Sequence, residues 1–245
     1  MRTLAYAVAV ATLALAATAK AEVPAAIAAA VADADRPDAD KARDAARKPA
    51  EIVAFAGVKP GDKVAEFLPG GGYYTRILSR AVGPKGHVYL LIPAAFAQRP
   101  GGLDAITALA AQLGNVTVVA TDLTSFTLPE PVDLAWTTEN YHDMHNGPSP
   151  SFAGVNAAAF AALKPGGIYF VEDHAAAAGA GPAVTQELHR IDPAQAIAEV
   201  TAAGFALDAQ SDLLANANDP KNVGVRDPSV QGETEKFALR FRKPG

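Results

Sequence analysis

The stretch Val64-Ala65-Glu66-Phe67-Leu68-Pro69-Gly70-Gly71-Gly72-Tyr73-Tyr74-Thr75 carries the fold. Val64 to Leu68 is a short apolar run of strand length. Three glycines then remove the side chains from a turn, and glycine tolerates the tight backbone and close approach such a turn needs. From Tyr73 to Val82 the apolar residues Tyr73, Tyr74, Ile77, Leu78 and Ala81 recur at helical spacing. Strand, glycine turn and helix in this order open a strand–helix–strand unit.

Working outward, the alternation continues. Gly83-Pro84-Lys85-Gly86 stops the helix, and His87 to Ile92 is the second strand. A helix over Ala105–Leu113 precedes strands at Val116–Ala120 and Val132–Thr137. A helix over Phe152–Leu163 closes on Lys164-Pro165-Gly166-Gly167 and leads to a strand at Ile168–Glu172. Asp192-Pro193 offers an N-cap and a first-turn proline for a helix ending near Gly204. Phe205–Leu213 and Phe237–Phe241 are the last strands; with no helix between them they should pair antiparallel. Strands that are nearly continuous apolar runs belong to a parallel sheet covered on both faces. The expected fold is α/β: a seven-stranded, mostly parallel, doubly wound sheet with an antiparallel last strand. Residues 215–235, polar and rich in Asn, Asp, Pro and Gly, read as a long mobile loop.

Upstream, residues 22–57 read as a helical segment. It is alanine-rich, with interruptions at Arg36-Pro37 and Lys48-Pro49, where the residue before proline leaves the helical region. Ile52, Val53 and Phe55 should turn inward. Residues 58–245 form the α/β domain. At the start, Met1-Arg2, an apolar run from Leu4 to Ala17 and an Ala-x-Ala site at Ala19 and Ala21 form a secretory signal, residues 1–21, with cleavage expected after Ala21. The run is shorter than the ~20 residues a spanning helix needs. The expectation is a periplasmic or secreted mature chain without stable membrane insertion.

Composition narrows the function classes. The chain has 245 residues and a net charge of −5, which lacks the basic footprint of a nucleic-acid binder. It has no cysteine, so disulfides, thiolate nucleophiles and zinc–thiolate sites are excluded. A dinucleotide fingerprint Gly-x-Gly-x-x-Gly fails because its third glycine falls on Thr75. No Gly-Lys-Ser/Thr phosphate loop and no Gly-x-Ser-x-Gly elbow is present.

The stretch from Val64 to Thr75 resembles the first motif of class I S-adenosylmethionine-dependent methyltransferases, an acidic residue followed by a Gly-x-Gly turn. The wider phrase from Arg47-Lys48-Pro49 through Val58-Lys59-Pro60-Gly61-Asp62-Lys63 to Tyr74 resembles predicted exported bacterial methyltransferases. Leu163-Lys164-Pro165-Gly166-Gly167 and the closing Ala238–Pro244 fit the same family. The resemblance implies an S-adenosylmethionine site. Glu66 would lie near the methionine or ribose end, with Pro69, Gly70, Gly71 and Gly72 against the ligand. Asp122 would sit near adenine, and Glu139 would complete the pocket. Two positions depart from the pattern: Leu68 stands at the first glycine, and Ile92-Pro93 where an acid usually binds the ribose hydroxyls.

A second polar cluster, Thr138-Glu139-Asn140-Tyr141-His142-Asp143-Met144-His145-Asn146, follows the fourth strand directly. Methyl transfer is an in-line displacement that needs an aligned nucleophile and sometimes a base. His142 is the candidate base, since imidazole titrates near neutral pH, and Tyr141 the candidate wall. His145, Asp173, His174 and His189 are candidates to line a substrate pocket. These scattered imidazoles and carboxylates follow no recognised metal-ligand spacing, and no metal is expected. The sequence therefore points to transfer onto a small or medium-sized acceptor; the alternative is an exported, non-catalytic ligand-binding protein that keeps the fold.

Overall fold

The computed structural model describes residues 22–146 and 151–245. The expected leader, residues 1–21, lies outside them. Four short helices come first: α1 (Ala25–Val31), α2 (Asp38–Lys41), α3 (Asp44–Arg47) and α4 (Pro49–Ala56). Two of the three breaks are marked by proline, and the one between α2 and α3, at Ala42-Arg43, is not. Pro37 precedes α2, and Lys48 sits left-handed (φ 42) with Pro49 opening α4.

Then strands and helices alternate. β1 (Lys63–Phe67) feeds α5 (Tyr73–Val82), and β2 (His87–Pro93) feeds α6 (Ala94–Ala97) and α7 (Asp104–Leu113). β3 (Val116–Thr121) and β4 (Val132–Thr138) follow, and a 3-10 turn, His142–His145, leaves β4. After α8 (Phe152–Ala162) come β5 (Leu163–His174), α9 (Ala183–Glu187), α10 (Pro193–Ala202), β6 (Ala206–Ser211) and β7 (Lys236–Arg242). Asp192 accepts a bond from the Ala194 N–H and caps α10.

The sheet has seven strands in the order β3-β2-β1-β4-β5-β7-β6. β7 runs antiparallel to both its neighbours and the other strands are parallel. Strand order reverses between β1 and β4, which makes their carboxyl ends the crevice where open α/β sheets bind ligands. One face of the sheet packs under α1, α4, α5 and α7, with Trp136, Phe170, Ile77 and Leu78 buried among them. The other face packs under α8 and α10 around Phe67, Tyr169, Val155 and Val200. Ile27, Ala30, Ile52 and Val53 of the N-terminal helices belong to the first core, so the sheet and this segment bury apolar surface together. Phe55, expected to point inward, is half-buried with its ring edge-on to Phe170.

Two expectations need correction. Lys164-Pro165-Gly166-Gly167 does not separate helix from strand. Leu163 already pairs with Val132, and the glycines form a bulge inside β5, with Gly166 at φ 74. Residues 215–235, expected as a mobile loop, are tied down. Arg190 is fully buried and holds Asp219 through both Nη atoms (2.7 and 3.0 Å), and its Nε donates to the Val223 carbonyl (3.1 Å). No described helix is long and apolar enough to cross a membrane.

Candidate active site

Glu66 leaves β1 at the switch point and forms part of the wall of a cavity of about 570 Å³, alongside Leu68, Pro69, Gly70 and Gly71. That volume lies within the range of small-molecule sites, ~300–1,000 Å³. Thr75 Oγ1 donates to Glu66 Oε2 at 2.7 Å. Burial pushes the Glu66 carboxyl up to about 8, and the Thr75 bond offsets only part of that shift. The first turn of α5 has no side-chain cap, so its leading amides face the turn unclaimed by a capping group.

The glycines divide the work. Gly70 and Gly71 meet nothing where a Cβ would stand and leave room at the cavity wall. Gly72 does not line the cavity: at φ 82 a Cβ there would run into the Leu109 side chain, so it serves the packing of α5 against α7. Leu68, where the family motif has glycine, still adopts the left-handed conformation at φ 50. Asn140 bolts this turn to the end of β4, its Nδ2 donating to the carbonyls of Phe67 (3.0 Å) and Leu68 (3.3 Å) while Thr137 donates to its Oδ1.

The side wall is apolar, from Ile92, Phe96, Leu103 and Ile106. Asp122, expected near adenine, is absent from this wall. It is exposed and accepts bonds from the Thr124 N–H and hydroxyl, which keep its carboxyl low. No acid replaces Ile92 at the end of β2. Asp40, Glu139 and Asp143 are the other carboxylates of the cavity, and Asp40 comes from α2 and pairs with Arg76 at 3.1 Å.

A second cavity of about 640 Å³ adjoins the first and shares Arg43, Arg47, Glu139 and Asp143 with it. Glu139 stands between them at φ 54. Burial alone would raise its pKa, but Arg47 and Lys236 (3.2 Å) hold its carboxyl below the usual range. Beside this network Glu172 is fully buried, with Oε2 unpartnered among the described residues; desolvation and then the nearby Glu139 charge push it up to about 8.

The second cavity also holds His142, Asp143, His174 and His189. Asp173 is buried on β5 and accepts from the His142 backbone N–H (2.7 Å), the His142 ring Nδ1 (2.8 Å) and the His174 N–H (2.7 Å). Burial disfavours the charged imidazole, yet the Asp173 carboxylate outweighs it and holds the His142 pKa above the ordinary value. With Nδ1 engaged, His142 Nε2 points to His189 Nδ1, 3.3 Å away. His174 is different: desolvation pulls it down to about 4, and its Nδ1 meets the Thr234 hydroxyl at 2.8 Å. Five described non-glycine residues have left-handed backbones, and three of them (Leu68, Glu139 and His189) line these cavities, where such strain commonly concentrates.

Not every candidate reaches the cavities. Tyr141 is fully buried on the far side, its hydroxyl between Asn156 Nδ2 (2.8 Å) and Glu199 (3.1 Å), so it is no cavity wall. His145 stacks on Phe152 and bonds Glu199 at 2.9 Å, also away from both cavities. Asp173 acts behind His142 rather than in the wall. Arg43, Arg47, Lys236 and Asp40 line the site without having been singled out; the Arg47-Lys48-Pro49 phrase was the one local signal for them.

Sheet order, antiparallel β7 and a ligand-sized cavity at a glycine turn on the β1/β4 switch define the class I methyltransferase fold. Solved structures of that fold are similar to this chain. A methyltransferase from Aquifex aeolicus, described as S-adenosylmethionine-dependent, is 17% identical, with 85% of this chain and 98% of that one covered and a TM-score of 0.56. An arsenic(III) S-adenosylmethionine methyltransferase from Chlamydomonas reinhardtii is 18% identical over 91% and 74%, at 0.56. The cyclase SpnF is 17% identical over 84% and 81%, at 0.59. Identities this low bear on the fold alone. No protein-family model and no curated protein matches the sequence.

Proposed function

We propose that this protein is an S-adenosylmethionine-dependent methyltransferase for a small acceptor. The observation that carries this is the pair of cavities meeting at Glu139 and Asp143, one against the glycine turn and one against His142. In-line transfer needs the methyl to cross between two such compartments, with donor and acceptor held in line. The apolar wall of Ile92, Phe96 and Ile106 suits the adenine, and Glu66 suits the cationic or hydroxyl-bearing end of the donor. The carboxylates at the shared boundary suit a sulfonium. The methyl moves to a lone pair of the acceptor, the donor leaves as a neutral thioether, and the acceptor's proton is lost at the His142 face. No covalent enzyme intermediate is required.

The acceptor cavity has four basic side chains, Arg43, Arg47, Arg226 and Lys236, against two carboxylates, which favours an acceptor with an anionic end. A ribose diol without a charged partner on β2 forgoes about 1.5–3 kcal/mol, so donor affinity in the micromolar range is expected. We infer export from residues 1–21, tested by whether the mature chain begins at Glu22.

Titration with S-adenosylmethionine and its demethylated product tests the function. Saturable micromolar binding, lost in Glu66→Ala and retained in His142→Ala while transfer falls, is the expected result. A folded protein that binds neither compound at millimolar concentration would leave a ligand-binding fold without this chemistry.

A further inference from the structure

Three donor atoms on the acceptor side converge in a way that methyl transfer alone does not explain. His142 Nε2, His189 Nδ1 and Asp143 Oδ1 stand 3.3, 3.4 and 3.7 Å apart pairwise. A circle through atoms at those separations has a radius of about 2.0 Å, the length of a zinc–nitrogen or zinc–carboxylate bond. One point therefore lies at bonding distance from all three. We propose that His142, His189 and Asp143 bind one borderline divalent cation, of which zinc is the representative, with an open coordination position facing the acceptor cavity.

Three features beyond proximity support this. First, His142 is backed by a buried carboxylate. Asp173 takes its Nδ1–H and its backbone N–H and so turns the Nε2 lone pair outward; carboxylate-backed imidazole is the usual support of a metal-bound histidine. Second, His189 adopts a left-handed backbone at φ 55 between α9 and the bridge of Ala175 to Ile191, and with Leu68 and Glu139 it is one of the strained non-glycine residues gathered at these cavities. Third, the donor set is two imidazoles and one carboxylate with no thiolate, which suits zinc, cobalt or ferrous iron and leaves positions open.

The charges agree. Two of the four basic side chains of this cavity, Arg47 and Lys236, are paired with Glu139, which partly neutralises them. Asn146 Nδ2 donates to Asp143 Oδ1 at 3.1 Å and steadies the one half-exposed ligand. A bound cation would take the acceptor's oxygen or nitrogen at the open position and ease loss of its proton. The lone pair of His142 Nε2 is then spent on the metal, so the imidazole is a ligand and not a free base, and the acceptor's proton leaves to water at the mouth of the cavity. That catalytic role rests on the proposed methyl transfer; the binding of the cation does not.

The test uses the full chain without methyl donor. Calorimetric titration with zinc should give one site per chain. Cobalt should give the intense visible bands of a low-coordinate ion. His189→Ala and Asp143→Asn, both at partly exposed positions, should weaken zinc at least tenfold, and Asp173→Asn, acting through His142, by about 10–100-fold. His87→Ala, at the amino end of β2, should leave affinity unchanged and control for adventitious imidazole binding. Unchanged thermal melting of the metal-free His189→Ala and Asp143→Asn chains checks that they fold. Absence of a one-to-one site, or binding indifferent to His189→Ala and Asp143→Asn, overturns the proposal. Donor titration in the presence of a chelator separates that outcome from failure of the methyltransferase reading.

Discussion

Glu66 combines two demands that oppose each other. Its carboxyl is desolvated to a pKa of about 8, against 4.5 for the ordinary side chain, so the folded apo chain prefers it protonated. The native state then binds the proton more tightly than the unfolded chain between those values. Stability contributed by the protonated form is complete below about pH 4.5 and is lost as pH rises toward about 8, a change on the order of a few kcal/mol. Glu66→Gln removes this slope, so its urea midpoint should exceed that of the parent at pH 8 and approach it at pH 5. A cationic donor favours the carboxylate, so its binding near pH 7 should release a proton, readable as a buffer-dependent heat of binding. Two residues away, Leu68 makes a different compromise. It sits at φ 50 without being glycine, a conformation that costs an L-residue roughly 1–2 kcal/mol. Leu68→Gly and Leu68→Ala remove the same packing and differ in that cost, so the glycine variant should be more stable than the alanine variant by about 1 kcal/mol in chemical denaturation.

At the scale of elements, the segment between β6 and β7 is anchored by a buried ion pair. Arg190 and Asp219 are both fully buried, and Asp219 also accepts the Glu235 N–H at 2.7 Å. Removing one partner of a buried pair leaves the other charge stranded, at a cost of about 3–5 kcal/mol. Asp219→Asn should therefore destabilise the chain by about 3 kcal/mol. It should also open residues 215–235 to limited proteolysis. Because Val225, Arg226 and Thr234 border the acceptor cavity, that variant should lose transfer while keeping donor affinity. The pairing of Arg190 with Asp219 spans 29 residues, and polar composition alone suggested a mobile loop there. The same distance problem explains the rest of what sequence left unread. Strands, α5 and the glycine turn were legible because apolar periodicity and glycine chemistry are local. Glu66 was legible because it ends a strand beside that turn. Arg47 and Lys236 meet Glu139 across 92 and 97 residues, and no local pattern announces such a contact. His142 and His145 share one short polar run, yet their faces are decided by Asp173 and Glu199, so only His142 reaches the cavity.

For the whole molecule, the question is whether the N-terminal helices form a separate unit or part of one cooperative fold. The sequence marks residues 22–57 as a helical segment ahead of the α/β domain, and buried side chains of that segment join the domain's core. Ile27 and Ala30 of α1 lie in the same core as Ile77, Leu78 and Trp136. The segment also closes the site: Asp40, Arg43 and Arg47 line the donor cavity, and Arg36, Arg43 and Arg47 gather over the Tyr73 ring at 5.4, 5.2 and 4.6 Å. Cation–π contacts of this kind are worth about 0.5–1 kcal/mol each where exposed and more where desolvated. Ile27 is buried to 1% exposure, so Ile27→Ala should cost about 2–5 kcal/mol. The informative part is the form of the transition. Trp136 is the chain's one tryptophan and stands on β4, so its fluorescence reports the sheet and the core packed on it, while far-UV circular dichroism reports all the helices as well. If one core unites segment and sheet, both probes in Ile27→Ala shift to the same lower midpoint and stay coincident, as two-state unfolding requires. Saturating S-adenosylmethionine should then raise both together, by about 2.7 kcal/mol at a hundredfold excess over Kd. A fluorescence midpoint that ignores Ile27→Ala while the dichroism falls early would mean that the segment unfolds alone, and the residues closing the donor cavity would then form a detachable cover.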